Sequence, residues 1–417
     1  MQQTEIKVYG YRWMMLAIFM LIIAINQMMW ITFAPITSDA ALFYHVSDMK
    51  IGMLSMCFMI VFILVSIPAS WIIDTYGIRI GVGTGAILTG IFGLVRGFAG
   101  TNYAVLLAAQ IGIAVGQPFL LNAITKMAAR WFPMNERATA AGLGTLSMYI
   151  GILSGMVVTP FLVLKNGIPS MLYMVGITSV LIAVVFILFT KERPPTPSGP
   201  GGNEDQLLVI EGFRHTFASR DFKWLMVIFF IGLGAFNAVT TWIENILGPR
   251  GFSPAQAGIA GGMMIAGGIT GALIIPILSD RYKRRTPFII IALVGATLGL
   301  IGLTFTHSYS VLLTSGAVLG FFLLSSGPIG FQYGAEITYP VSEGTSNGLL
   351  LLVGQISGIA LIFGMDFFKA PGNGSMTKPL IFLIVGMVFC VAVSLFLKES
   401  LLLKGQRSVK INKKIGR

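Results

Sequence analysis

The sequence predicts an all-α membrane protein of twelve transmembrane helices in two pseudo-symmetric six-helix bundles. Three observations carry this reading. Of the 417 residues, 55% are apolar and only 11% charged, where a soluble domain carries roughly 25% charged residues. The apolar residues gather in runs of about twenty, the length a helix needs to cross a hydrocarbon core. Short motifs also recur at a separation near 207 residues. So much apolar surface excludes a water-soluble domain, and so few charges exclude a disordered chain.

The first six runs lie at 13–36, 51–73, 80–99, 103–127, 138–163 and 169–190. The second six lie at 222–247, 254–279, 287–306, 309–335, 344–368 and 377–402. Each is too long for a membrane strand of about 9–11 residues, which argues against a β-barrel. Residues 1–12 lack the features of a cleaved signal peptide, so the first run is expected to stay as a helix. The expected division is an N-terminal bundle at 1–190, a cytoplasmic linker at 191–221 rich in Pro and Gly, a C-terminal bundle at 222–402 and a basic cytoplasmic tail at 403–417. A short interfacial helix is expected at 213–222.

Orientation follows from Lys and Arg. Counted by loop, 22 of the 28 fall on one side, seven of them near the C-terminus, while Lys50, Arg96, Lys165, Arg250, Lys369 and Lys378 fall on the other. The positive-inside rule places both termini in the cytoplasm and the chain in the inner or plasma membrane. The net charge of +12 is thereby a topology signal, and no nucleic-acid partner is expected. Cys57 and Cys390 sit in apolar runs as buried fillers, and no zinc or disulfide spacing is present. Neither metal nor cofactor is expected.

The two halves repeat. Asp74 ends the second run in Asp74-Thr75-Tyr76-Gly77-Ile78-Arg79, and Asp280 ends the eighth in Asp280-Arg281-Tyr282-Lys283-Arg284-Arg285, 206 residues on. Pro133 and Glu136 between runs four and five match Pro340 and Glu343 between runs ten and eleven, 207 residues on. Trp13 matches Trp224 and Asn26 matches Asn237 at 211. An Asp at a cytoplasmic helix end can pair with a nearby Arg or face a helix N-terminus. Asp74, Gly77, Arg79, Arg130, Glu136, Arg137, Asp280, Glu336 and Glu343 are therefore the candidate gating residues. Gly-x-x-x-Gly spacings at Gly151/Gly155, Gly267/Gly271 and Gly354/Gly358 permit close backbone approach, and the expectation is that they form sliding interfaces between the halves.

Asp74-x-x-Gly77-x-Arg79, with Arg130-Trp131-Phe132-Pro133-x-x-Glu136-Arg137-Ala138, resembles the major facilitator superfamily of secondary transporters. Ser70 stands where the family motif has glycine. The resemblance covers all twelve runs and implies the major facilitator fold, with alternating access by rocking of two bundles. The longer run from Glu336-Ile337-Thr338-Tyr339-Pro340 through Ser342-Glu343-Gly344-Thr345-Ser346 to Gly348-Leu349-Leu350 is similar to the feline leukaemia virus subgroup C receptor-related transporters. Arg12-Trp13, Trp71-x-x-Asp74-Thr75 and Gln117 followed by Phe119 support that match. The proposed substrates of that family are choline, ethanolamine and heme.

Polar side chains at mid-membrane depth are default site candidates. Depth selects Asn26, Gln27 and Trp30 in run one, Gln117 in run four and Tyr149 in run five. It also selects Asn237, Trp242 and Glu244 in run seven, Ser325 and Ser326 in run ten, and Gln355 in run eleven. The bland alternative for the amides is an interhelical bond of about 1 kcal/mol, and for the two tryptophans an interfacial belt. No Lys or Arg occupies the middle of a run, which disfavours an anionic cargo. Aromatic faces beside neutral amides suit a cation. The resemblance implies cation contact at Trp30, Gln117 and Gln355, while Asn237 stands where an aromatic is expected. Glu244 is the candidate for proton coupling.

The expected function is secondary active or facilitative transport of a small organic solute, with a choline-like cation first. A proton-coupled carrier of heme, a vitamin or a drug-like compound is the alternative. No paired-carboxylate, His–Glu–His or Ser–Lys constellation indicates an enzyme, and no phosphate-binding glycine loop indicates ATP-driven transport. The expected partners are the solute and the lipid bilayer, with the monomer as the functional unit.

Overall fold

The structure is a computed structural model that describes residues 9–134, 136–196, 216, 219–339, 341 and 343–400, with the side chain of Glu343 left aside. The basic tail at 403–417, most of the linker and half of the expected interfacial helix at 213–222 lie outside the described residues. Among those described there are fourteen α-helices and two 3₁₀ turns, and no strand.

The chain divides into two compact units. The first holds Met1–Glu204 with Thr241–Glu244 and Phe252–Gly258, and the second holds Asp205–Thr240, Asn245–Gly251 and Ile259–Arg417. Helices α1 (Tyr11–Ile31), α2 (Thr37–Tyr44), α3 (Asp48–Tyr76), α4 (Ile78–Gly97), α5 (Tyr103–Leu121), α6 (Ile124–Trp131) and α7 (Arg137–Phe189) build the first unit. The chain continues through α8 (Arg220–Thr241), α9 (Ile243–Leu247), α10 (Pro254–Tyr282), α11 (Thr286–Phe305), α12 (Tyr309–Thr338), α13 (Glu343–Phe367) and α14 (Thr377–Ser394). Among the described residues eleven helical stretches are long and apolar enough to cross a membrane. One of them, α7, has 53 residues, which would be ~80 Å of straight helix against a core of about 30 Å. It is broken at Gly167, whose φ of 75° and ψ of 167° no helix contains, just before Pro169. That break makes twelve crossings.

Local chemistry sets the other ends. Asn102 caps α5, its side-chain oxygen accepting from the amides of Ala104 and Val105. Gly77 turns the chain between α3 and α4 at φ +94°, a conformation that costs a side-chain-bearing residue dearly. Helix α1 stops at Ile31 and resumes as a 3₁₀ turn at Ala34–Ile36, where Pro35 lacks the N–H that continuation requires. Helix α14 ends at Ser394, short of the expected 402, because the chain turns inward there. The carbonyl of Lys398 accepts from Tyr333, and Glu399 accepts from the amide of Arg285.

The small-residue pairs pack helices within each unit, which corrects the expectation of interfaces between halves. A Cβ on Gly151 would stand 2.2 Å from the carbonyl oxygen of Ala24 in α1, and one on Gly271 only 1.8 Å from that of Phe321 in α12. Backbones this close leave room for no side chain, so these contacts fix helix pairs rather than let them slide.

Candidate functional site

In the first unit the candidate side chains separate into those already hydrogen-bonded and those free. Asn26 is fully buried, and its amide donates to Thr89 Oγ1 at 3.0 Å and to the Ile113 carbonyl at 3.3 Å, tying α1 to α4 and α5. Gln27 donates to Asn26 Oδ1. Trp30 donates its indole N–H to the Ser55 carbonyl at 3.1 Å, which fixes the ring against α3. Gln117 and Tyr149 have no hydrogen-bonding partner among the described residues, although Gln117 is 7% exposed. In the second unit Asn237 and Gln355 are likewise unpartnered among the described residues, while Ser325 and Ser326 turn back on carbonyls of their own helix. None of the four is among the side chains whose unpartnered polar atoms are sealed from solvent, so these groups remain open to a polar or charged solute.

Trp242 and Glu244 belong to the first unit although their neighbours in sequence belong to the second. Trp242 has no exposed surface, and its ring lies where a Cβ on Gly52 of α3 would sit, 2.7 Å from the nearest ring carbon. The interfacial-belt alternative is thereby corrected, since a belt residue presents its ring to the membrane surface. Glu244, 4% exposed, accepts from the amide and the hydroxyl of Ser38 at 3.1 and 2.9 Å, in the first turn of α2. A carboxylate at a helix N-terminus meets the positive end of the helix dipole. No Lys or Arg pairs with it among the described residues.

Arg96 was expected among the outer loops, and the structure corrects this. It is fully buried in the last turn of α4. Its Nη1 donates to the Met29 carbonyl and to Gln110 Oε1, and Gln110 donates to the same carbonyl, all at 3.1 Å. The guanidinium lies over the Phe33 ring at 5.8 Å. Met29 is in the last turn of α1, where carbonyls lack helical partners and the dipole is negative. Arg96 and Gln110 therefore cap the broken end of α1, one residue before Trp30. Depth along the run could not reveal this, because the partner is a main-chain atom.

At the other end of the helices the charged motif residues form two hubs. In the first unit Glu192 accepts from the Arg79 amide at 2.7 Å and pairs with Arg130, and a Cβ on Gly77 would collide with its carboxylate. Asp74 pairs with Lys126 at 2.7 Å and not with an Arg as expected, because Lys126 follows the turn at the end of α5 and reaches both Asp74 and the Ile73 carbonyl. Arg12 bonds both oxygens of Glu136, and Arg137 donates to the Phe132 carbonyl. Ser70, the departure from the family motif, accepts from Asn122, which also bonds Ser66. In the second unit Arg285 pairs with Asp280, bonds Glu336 at 3.1 Å and gives its amide to Glu399 at 2.8 Å. Burial works against the charge on Arg285, but the carboxylates of Asp280 and Glu336 outweigh it and raise its pKa. The side chain of Glu343 lies outside the described residues. Glu192 and Glu399 went unread in the sequence, though they stand 207 residues apart, at the repeat offset.

Two units with six crossings each and polar groups at mid-depth define a membrane carrier, and known proteins agree. The Major Facilitator Superfamily profile matches residues 16–362. Solute carrier family 49 member A3 of Xenopus tropicalis is 31% identical over 90% of this chain and 82% of its own. The choline/ethanolamine transporter FLVCR2 of Homo sapiens is 28% identical over 95% of this chain and 79% of its own. A bacterial homologue of the human lysosomal transporter Spinster, solved inward-facing and unoccupied, superposes with a TM-score of 0.74 at 18% identity, over 94% of this chain and 98% of that one. The chain belongs to the major facilitator superfamily, within its feline leukaemia virus subgroup C receptor-related branch. It is a multi-pass membrane transporter of a small organic solute. Among the described residues no cluster of His, Cys, Asp and Glu could hold a metal ion.

Proposed function

We propose that the solute is a small organic cation of the choline or ethanolamine type, carried across the cell membrane by alternating access, with both termini in the cytoplasm and the monomer as the working unit. The observation that carries this is the set of unspent neutral groups at mid-depth. Gln117 and Tyr149 in the first unit and Asn237 and Gln355 in the second have hydrogen-bonding capacity left over, and Trp30 supplies an aromatic surface. These side chains are all neutral, which favours a cation over an anion. The test is uptake of labelled choline into proteoliposomes, with ethanolamine, a dicarboxylate and heme as competitors. Competition by the amines alone supports the reading, and competition by the dicarboxylate alone overturns it. No catalytic step on the solute is proposed, so the label is expected to emerge chemically unchanged.

The hub residues are assigned to the conformational step. Gly77→Ala is expected to lower the maximal rate about tenfold, with less than a threefold change in half-saturating concentration. The new methyl group displaces Glu192 and strains a φ of +94°. Asp74→Asn should act in the same direction but less strongly, since that pair is largely exposed. A rise in half-saturating concentration matching the loss of rate would place these residues in binding instead.

A second reading is favoured by one observation, the carboxylate of Glu244 buried without a cation among the described residues. In this reading Glu244 takes up and releases a proton during the cycle. Uptake should then vary with pH and respond to an imposed proton gradient in the wild type. Glu244→Gln, which cannot ionise, should lose both responses while still transporting by exchange. Wild-type uptake indifferent to the gradient would remove coupling and leave facilitated diffusion.

A further inference from the structure

An apolar groove of about 620 Å³ runs along the second unit between α8, α13 and α14. Its α8 wall is built from Lys223, Met226, Val227, Phe230 and Ile231, a spacing that sets all five on one helix face. Gly386 opens the floor opposite Ile231, and Phe382 of α14, 69% exposed, forms an outer lip. Lys223 is the only polar residue in the lining, and it stands at the end of the groove nearest the start of α8. Its ammonium has no hydrogen-bond or ion-pair partner among the described residues. The near carboxylate in sequence, Asp221, is two residues away, a spacing that puts it on the opposite side of the helix.

Three features identify the occupant. The wall has no hydrogen-bonding group beyond Lys223, so a polar solute would gain nothing along its length. From Lys223 to Ile231 the helix rises ~12 Å, close to the depth of one hydrocarbon leaflet. The charge at the mouth lies on the Lys- and Arg-rich side, the side where the positive-inside rule puts the cytoplasm and its anionic lipids. An anionic headgroup beside an ammonium, with an apolar tail running away from it into the membrane, is the chemistry of a phospholipid. We infer that this groove is a binding site for one anionic phospholipid, its phosphate at Lys223 and an acyl chain along Val227, Ile231 and Gly386.

The experiment is native mass spectrometry of the full chain in detergent, after incubation with phosphatidylglycerol or phosphatidylcholine of identical acyl chains. The wild type is expected to retain one phosphatidylglycerol in about fivefold preference to phosphatidylcholine, the size of one lysine's attraction at a membrane surface. Lys223→Gln, at an exposed position, should retain the two lipids equally. Val227→Trp, which fills the groove, should lose both, with thermal unfolding recorded to show that the variant is folded. Equal retention of the two lipids by the wild type overturns the inference. So does a preference that survives Lys223→Gln. If Val227→Trp does not fold, Gly386→Val is the substitute for blocking the chain, and retention undiminished in a folded blocking variant also overturns it.

Discussion

Replacing Trp30 with alanine is expected to reduce uptake of a cationic solute about 30-fold at low concentration while leaving insertion and monodispersity intact. The figure corresponds to a desolvated cation–π contact of about 2 kcal/mol. The ring is held by two independent restraints, its own N–H to the Ser55 carbonyl and the Arg96–Gln110 cap on the carbonyl of the preceding residue, Met29. Trp30→Phe keeps an aromatic face and loses only the first restraint, so its uptake should fall by no more than about fivefold. The comparison separates a recognition surface from a packing residue. A ring that merely filled space would show alanine and phenylalanine variants ordered by thermal stability rather than by solute affinity. Wild-type kinetics in the alanine variant would exclude Trp30 from recognition altogether.

The largest loss of stability is expected at Arg285. Its side chain and that of Glu336 are 8% and 9% exposed, so removing one leaves the other as a buried charge without its partner. Arg285→Met should destabilise the protein by about 3–5 kcal/mol, seen as a fall in Tm of roughly 10 °C. The double variant Arg285→Met/Glu336→Leu should recover most of that, because two apolar residues of similar volume replace a desolvated pair. The pair between Arg12 and Glu136 is more open, at 14% and 29%, and its loss should cost little. Thermal unfolding in detergent measures all three. A double variant less stable than the single would mean that Asp280 and Glu399 depend on the guanidinium more than Glu336 does.

Crossing helices were legible because the bilayer demands the same length and composition of each. The break at Gly167 was foreseen between 163 and 169 for that reason. The early end of α14 was not, since Leu395–Leu397 continue the apolar run and only a contact with Arg285 and Tyr333 turns the chain. The repeat located Asp74, Asp280, Glu136 and Glu343 by offset. It could not show which cation each acid meets, because that depends on how neighbouring helices are rotated. Lys126 and Asp74 lie 52 residues apart, and their pairing is a property of the fold. Arg96 was misplaced for a related reason. Its position near the end of a run reads as an interfacial charge, whereas the negative pole of an interrupted helix draws it inward. Depth alone pointed equally to Asn26 and Gln27, which are bonded within their unit, and to Gln117 and Gln355, which are unpartnered among the described residues, because depth does not show which neighbour an amide meets.

The two acids that close each unit, Glu192 and Glu399, receive a main-chain N–H rather than a guanidinium from Arg79 and Arg285. The two arginines stand 206 residues apart and the two acids 207, so the same joint recurs in both halves. An anchor that grips the peptide itself is indifferent to which side chain that residue carries. Proline at position 79, which has no N–H to give, should break the joint with Glu192, whereas other substitutions there should leave that joint in place.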